Sequence, residues 1–206
     1  MTLREELRTT FFKPKTWAFW RALILACSLC CLLGHWLEIP YCSIMNAAFG
    51  IVADDYAVIT DPWFVPYFVY GYGAGAMTFL LEPIKERILA RRKTIWGALL
   101  EMFVLTVAIA AVMETGFGLI LNQPDATGTY PFWDNSQLPL NILGQGWLVN
   151  DVFIGIAAMF YLWVVFPAVS IELDRLGGKR ANVVFAVLMA IFLAFCAQTV
   201  YLFYLP

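Results

Sequence analysis

Apolar residues in this chain gather into five long runs, near residues 17–39, 63–81, 94–121, 146–171 and 181–205, with polar and charged residues confined mostly to the stretches between them. A helix rises 1.5 Å per residue, so roughly 20 apolar residues cross about 30 Å of hydrocarbon. Every run is long enough. In lipid the backbone must satisfy its own hydrogen bonds, which leaves helices as the reading for runs of this length. The pattern predicts an all-α integral membrane protein, a bundle of about five transmembrane helices forming a single transmembrane domain over residues 1–206.

The basic residues assign the direction of each span. Arg4, Arg8, Lys13, Lys15 and Arg21 precede or open the first; Lys85, Arg87, Arg91, Arg92 and Lys93 follow the second; Arg175, Lys179 and Arg180 follow the fourth. The connections 40–62 and 122–145 contain none. With five spans this alternation obeys the positive-inside rule at each loop, placing the N-terminus in the cytoplasm and the C-terminus outside a cell membrane.

Smaller features fill in the frame. Leu3, Leu7 and Phe11 recur at helical spacing among charged residues, so residues 2–14 are expected to lie in the inner interface as a short amphipathic helix ended by Pro14. The apolar piece from Ile44 to Ala53 is too short to cross and is expected to be a surface or re-entrant helix. Residues 122–145 form an outer loop. A composition 62% hydrophobic and 14% charged agrees with a membrane protein and leaves no stretch for a separate soluble domain. Four of the five cysteines, Cys27, Cys30, Cys31, Cys42 and Cys196, sit in or beside apolar runs, where a thiol packs as a small hydrophobe. The apolar run continues past Cys27, so the first span is read as uncleaved.

Ionisable groups inside spans are costly and point to a pocket, a relay or a partner contact. The candidates are His35, Glu38, Glu101, Glu114 and Asp151. With the assigned directions, His35, Glu38, Glu114 and Asp151 fall near the outer ends of their spans, and Tyr67, Tyr70 and Tyr72 join them there. Glu101 lies thirteen residues before Glu114, roughly 20 Å deeper and on another face. Cys31, His35 and Glu38 follow at i, i+4 and i+7, a face that could offer metal ligands, although one helix alone makes a poor site. Neither a metal nor another cofactor is expected. The glycines of Tyr70-Gly71-Tyr-Gly73-Ala-Gly75 suit close helix packing or a locally broken helix.

The stretch Trp133-Asp134-Asn135-Ser136, followed by Pro139-Leu140-Asn141-Ile-Leu-Gly144 and by Gly155, resembles the pattern of the bacterial family of ABC-transporter type IV membrane proteins (CmpB-like). Gly34-x-x-x-Glu38, Pro66 with Tyr70-Gly71-x-Gly73, and Glu114 fall in the same order as in that family. The resemblance runs from about Gly34 to Pro167, and its specific part is the loop from Trp133 to Gly144. Asn135 stands where the family usually has Tyr, and Gln145 where it often has Arg. The resemblance implies a membrane component with a transport label.

Three functions fit these residues. A transport-class component, permease or solute-binding, would use an outward-facing polar pocket of His35, Glu38, Tyr70, Glu114, Trp133, Asp134, Asn141 and Asp151, whose carboxylates would favour a cation, an amine or a proton. A structural or regulatory subunit would use the same carboxylates to hold the bundle. A membrane-embedded enzyme on a lipid or cell-surface substrate would need a carboxylate base with His35 as proton carrier, yet no Gly-x-Ser-x-Gly or metal set is present. No Gly-Lys-Ser/Thr phosphate loop occurs either, so ATP-driven action would require a separate ATPase subunit. The lipid bilayer is the expected partner, with self-association possible and nucleic acid excluded. Single cysteines placed in 122–145 should react with a membrane-impermeant thiol reagent applied outside, and those in 84–93 should not; the reverse labelling would overturn the assigned direction.

Overall fold

The computed structural model describes residues 10–50 and 65–204. It is 77% helical with almost no strand, so the protein is an all-α integral membrane protein, as its hydrophobic pattern predicts. Five helices carry the fold: α1 (Trp17–Phe49), α2 (Phe68–Arg91), α3 (Ile95–Leu121), α4 (Leu148–Leu176) and α5 (Gly178–Tyr204). Four of them, α1, α3, α4 and α5, are long and apolar enough to cross a membrane. Helix α2 has the length, but its C-terminal half carries Glu82, Lys85, Glu86, Arg87 and Arg91.

Local chemistry sets the ends. Thr16 caps α1 by accepting from Phe19 N at 3.3 Å, and Thr94 caps α3 by accepting from Gly97 N at 3.2 Å. Helix α1 does not stop near Ile39 as predicted; it continues through Pro40 to Phe49. Proline removes one N–H, yet the helix continues through Ile44, Met45, Ala47 and Ala48, and the left-handed turn at Gly50 (φ 66°) closes it by donating to Asn46 O at 2.8 Å. The piece beginning at Ile44 therefore belongs to α1 as far as Phe49. Its remaining residues 51–53, and residues 1–9 of the expected interfacial helix, lie outside the described residues; Thr10 to Lys13 are not helical.

The chain divides into two compact units, one built from residues 80–164 and the other from 11–79 with 165–206. In the second unit α1 packs through Phe19, which meets Phe79 and Phe166 edge to face at 6.0 Å each. Trp17 meets Phe185 at 5.5 Å. A side chain on Gly34 would collide with the Tyr70 ring, and one on Gly71 with Cys31 Sγ, so these glycines let α1 and the first turns of α2 approach closely. On α5, Val183, Val187 and Ile191 are exposed at four-residue spacing, an apolar stripe suited to lipid.

In the first unit α3 packs on the first half of α4. Gly155 faces Val107, and Thr106 Oγ1 donates to Phe103 O at 2.8 Å while lying 3.5 Å from Gly155 O. Helix α4 is α-helical to Phe160, takes a π turn over Tyr161–Val165 and resumes at Phe166. Pro167 has no N–H, so the carbonyls of Leu162 and Trp163, which lie five and four residues before it, lose that donor. The ammonium of Lys85 takes its place, donating to Leu162 O at 2.8 Å and lying 5.8 Å from the centre of the Trp163 ring.

Lys85 also pairs with Glu82, three residues earlier, at 2.6 Å, and both side chains are buried. It was grouped with the basic loop in the sequence; in the structure it lies inside α2. Removing one partner of a buried pair leaves a charge stranded, at a cost of about 3–5 kcal/mol. Lys85→Ala should therefore lower the denaturation midpoint in detergent strongly, and Glu82→Leu combined with Lys85→Met should recover most of the loss. A single variant as stable as the parent would show that the pair clamps nothing.

Candidate functional site

Among the residues singled out in the sequence, the unit of residues 80–164 brings Glu114 and Asp151 together. Helix α4 starts after Trp147, whose extended backbone (φ −138°, ψ 111°) offers no side-chain oxygen to cap the first N–H groups. The first helical N–H, that of Leu148, donates to Leu140 O at 3.2 Å, and Glu114 on α3 anchors the flanking groups: its Oε2 accepts from Trp147 N at 3.1 Å and its Oε1 from Asn150 Nδ2 at 2.6 Å. Asp151 occupies the first turn of the same helix and is fully buried, with Glu114 as its ionisable neighbour. Neither Asp151 oxygen has a hydrogen-bond donor among the described residues, and Thr115 Oγ1 is likewise buried without a partner. The N-terminus of α4 thus adjoins two neighbouring carboxylates, of which Glu114 accepts two hydrogen bonds from the polypeptide and Asp151 accepts none from an N–H or hydroxyl donor among the described residues.

The loop before α4 is tied down by its own side chains. Asn122, buried at the end of α3, donates to Trp133 O at 2.6 Å and to Gln145 Oε1 at 2.9 Å, and accepts from Phe132 N at 3.1 Å. Trp133 Nε1 and Asn135 Nδ2 both donate to Gln145 O, at 2.9 and 2.6 Å. Asn141 closes a small hairpin: it donates to Leu138 O at 2.9 Å, accepts from Gly144 N at 3.0 Å and pairs across the strands with Trp147. The hairpin strands are β1 (Asn141–Ile142) and β2 (Gly146–Trp147). Leu140 (φ 63°) and Leu143 (φ 54°) are held in the left-handed region, which non-glycine residues occupy only when their surroundings enforce it.

Trp133, Asp134 and Asn141 therefore make their bonds within this loop. Asp134 accepts from Ser136 N at 2.9 Å, and together with the Ser136 hydroxyl this holds its carboxyl below the usual carboxylate range. Asp125 is held low in the same way, first by the Thr127 hydroxyl and then by the Thr129 and Thr127 N–H groups.

His35, Glu38 and Tyr70 belong to the other unit. Tyr70 OH donates to Glu38 Oε1 at 2.6 Å, whereas Glu38 Oε2 and His35 Nδ1 have no partner among the described residues. His35 is buried edge-on against Tyr67, ring centres 5.2 Å apart. Cys31, spaced with His35 and Glu38 on one face, turns its sulfur to Gly71 instead, and no group of three ligating side chains forms among the described residues. Glu101 pairs with Arg91, and with Arg92 at 2.5 Å, within the unit of residues 80–164.

A family model described as "Putative ABC-transporter type IV" matches residues 25–200. The chain belongs to this family. No curated protein and no solved structure matches it. As a type IV family member it is a transport-class, multi-pass membrane protein. Asn135 and Gln145 meet in space, since the Asn135 side chain donates to the backbone of Gln145. The sequence offers Gln145 only as a difference from the family pattern and gives no sign that Asn122 bonds it; the one signal is that amides border both ends of the loop.

Asp125 and Asp134 titrate lower in the folded loop than unfolded, so their contribution to loop order is complete above the ordinary Asp value of 3.8 and is lost as pH falls through their lowered folded-state values. Protease resistance of residues 122–147 should hold from neutral pH down to that range and drop below it. The double variant Asp125→Asn, Asp134→Asn should show a flatter profile; an unchanged one would remove these carboxylates as the cause.

Proposed function

We propose that this chain is a substrate-contacting component of a transport system, and that the Glu114–Asp151 pair at the start of α4 receives a cation or a protonated amine. The observation that carries this reading is Asp151: fully buried, with no N–H or hydroxyl donor on either oxygen among the described residues, beside a second carboxylate that accepts two hydrogen bonds. A buried carboxyl group and an adjacent one cannot both carry charge cheaply without a cation or a shared proton between them, and intramembrane carboxylates that face a bundle interior commonly lie on substrate or ion paths. The polar loop of residues 122–147, tied to α3 through Asn122, provides a rigid cover for this end of the helix pair, with Trp133, Asp134 and Asn141 as its framework.

His35, Glu38 and Tyr70 are read as a second polar group on α1 and α2 that could contact the same class of solute. The positive-inside pattern supports a cell-membrane orientation with the N-terminus in the cytoplasm and the outer loop outside. The chain has no phosphate-binding loop of its own, so within an ABC-type system it would act with a separate ATPase subunit.

The test is thermal unfolding of the purified chain in detergent against sodium, potassium and a series of primary and quaternary amines. A ligand at a hundred times its Kd stabilises by about 2.7 kcal/mol, and each kcal/mol raises the melting temperature of a protein this size by roughly 2–4 °C. The shift should vanish in Asp151→Asn and shrink in Glu114→Gln while both variants remain folded. A full shift in Asp151→Asn would place the ligand elsewhere. No shift from any of these cations, with both variants strongly destabilised, would favour a structural role for the pair.

A further inference from the structure

A second site, unrelated to the carboxylate pair, is built around Arg21. This side chain is 4% exposed, and no carboxylate forms an ion pair with it; the ion pairs among the described residues are Glu82–Lys85, Glu101 with Arg91 and Arg92, and Glu172–Arg175. Its one hydrogen bond runs from Nη1 to Asn182 Oδ1 at 2.8 Å. That oxygen is shared with Trp17 Nε1 at 3.0 Å, which fills both of its lone pairs. Arg21 Nε is buried and has no partner among the described residues. An arginine cannot shed its proton, so a buried guanidinium without an anion is an uncompensated charge that some anion should neutralise.

The surroundings say where that anion would sit. Arg21 lines a groove of about 280 Å³ together with Trp17, Asp174, Gly177, Gly178 and Asn182. Helix α5, 27 residues long, begins at Gly178. The residue before it is Gly177, in the left-handed region at φ 74°, which has no side chain with which to cap the helix. The first N–H groups of α5 and the positive end of its dipole are therefore available at the groove, and Lys179 and Arg180 lie in the same first turn. Trp17 and Trp20 are exposed beside it, as interfacial tryptophans are. Asp174 is the one acidic lining residue; it is exposed, and its backbone oxygen accepts from Gly177 N at 3.2 Å.

We propose that this groove binds the phosphate of an anionic phospholipid headgroup, with Arg21 Nε and the N-terminal amides of α5 as donors and Trp17 as the interfacial wall. A net negative headgroup answers the uncompensated guanidinium, whereas a zwitterionic one brings its own cation with it. Basic pockets between helices at the cytoplasmic interface recognise lipid headgroups by the same chemistry.

The experiment counts lipids retained by the full chain in native mass spectrometry, with phosphatidylglycerol titrated against phosphatidylcholine. The parent should retain one phosphatidylglycerol with about tenfold preference, the scale of one charge-assisted bidentate contact. Arg21→Met should lose that preference, Arg175→Gln should keep it, and Asp174→Asn should strengthen it by removing the opposing carboxylate. If Arg21→Met fails to fold, Arg21→Lys is read instead and should bind more weakly while still preferring the anionic lipid. Equal retention of the two lipids by the parent, undiminished preference in Arg21→Met, or weaker binding in Asp174→Asn would overturn the proposal. Displacement by an equal concentration of inorganic phosphate would assign the groove to a soluble anion and overturn it as well.

Discussion

A polypeptide in hydrocarbon has no water with which to complete its hydrogen bonds, and several polar side chains in this protein act where a helix leaves that requirement unmet. Each α-helix begins with N–H groups that have no intrahelical acceptor. At α1 and α3 a threonine supplies the acceptor locally. At α4 the preceding residue is Trp147, which cannot; Leu140 O accepts from the first helical N–H, and Glu114 on a neighbouring helix holds Trp147 itself by accepting from its backbone N–H. The carboxylate gains the positive end of the helix dipole, and the helix gains a fixed start against α3.

The π turn in α4 poses the opposite problem, orphaned acceptors in place of orphaned donors. Lys85 meets it and holds Glu82 at the same time, so one side chain joins a backbone defect on α4 to a charge on α2. Neither the pair nor the carbonyl is well accommodated without the other two groups. Glu82 and Lys85 persist in this apolar interior because each is placed where a backbone group or a second charge needs it.

Hydropathy and the basic-residue pattern made the helices legible, because their spacing depends on bilayer thickness and backbone bonding alone. The N-terminus of α3 at Thr94 and the existence of α5 followed directly. The extension of α1 through Pro40 was not legible, since proline marks a boundary only when the flanking residues also disfavour helix. Of the polar residues, Glu114 and Asp151 could be placed together from span direction and rise per residue. The loop could not be resolved in the same way: Trp133, Asp134 and Asn141 satisfy backbone groups of their own loop, and nothing in residue type separates such a role from contact with a solute. Glu82 and Lys85 were hidden because a Glu-x-x-Lys step beside a basic cluster looks like solvated helix surface, and only the missing N–H of Pro167 explains its burial.

The length of α1 has a mechanical consequence. At 33 residues it spans about 50 Å, well beyond the hydrocarbon thickness, and its apolar character extends past Pro40. A helix of that length does not gauge the membrane, because it can tilt, or slide along the bilayer normal, at little cost in exposed apolar surface. Helix α3, with 27 residues between a threonine cap and a buried asparagine, has far less latitude. Its length leaves α1 with more apolar surface than one crossing of the hydrocarbon requires.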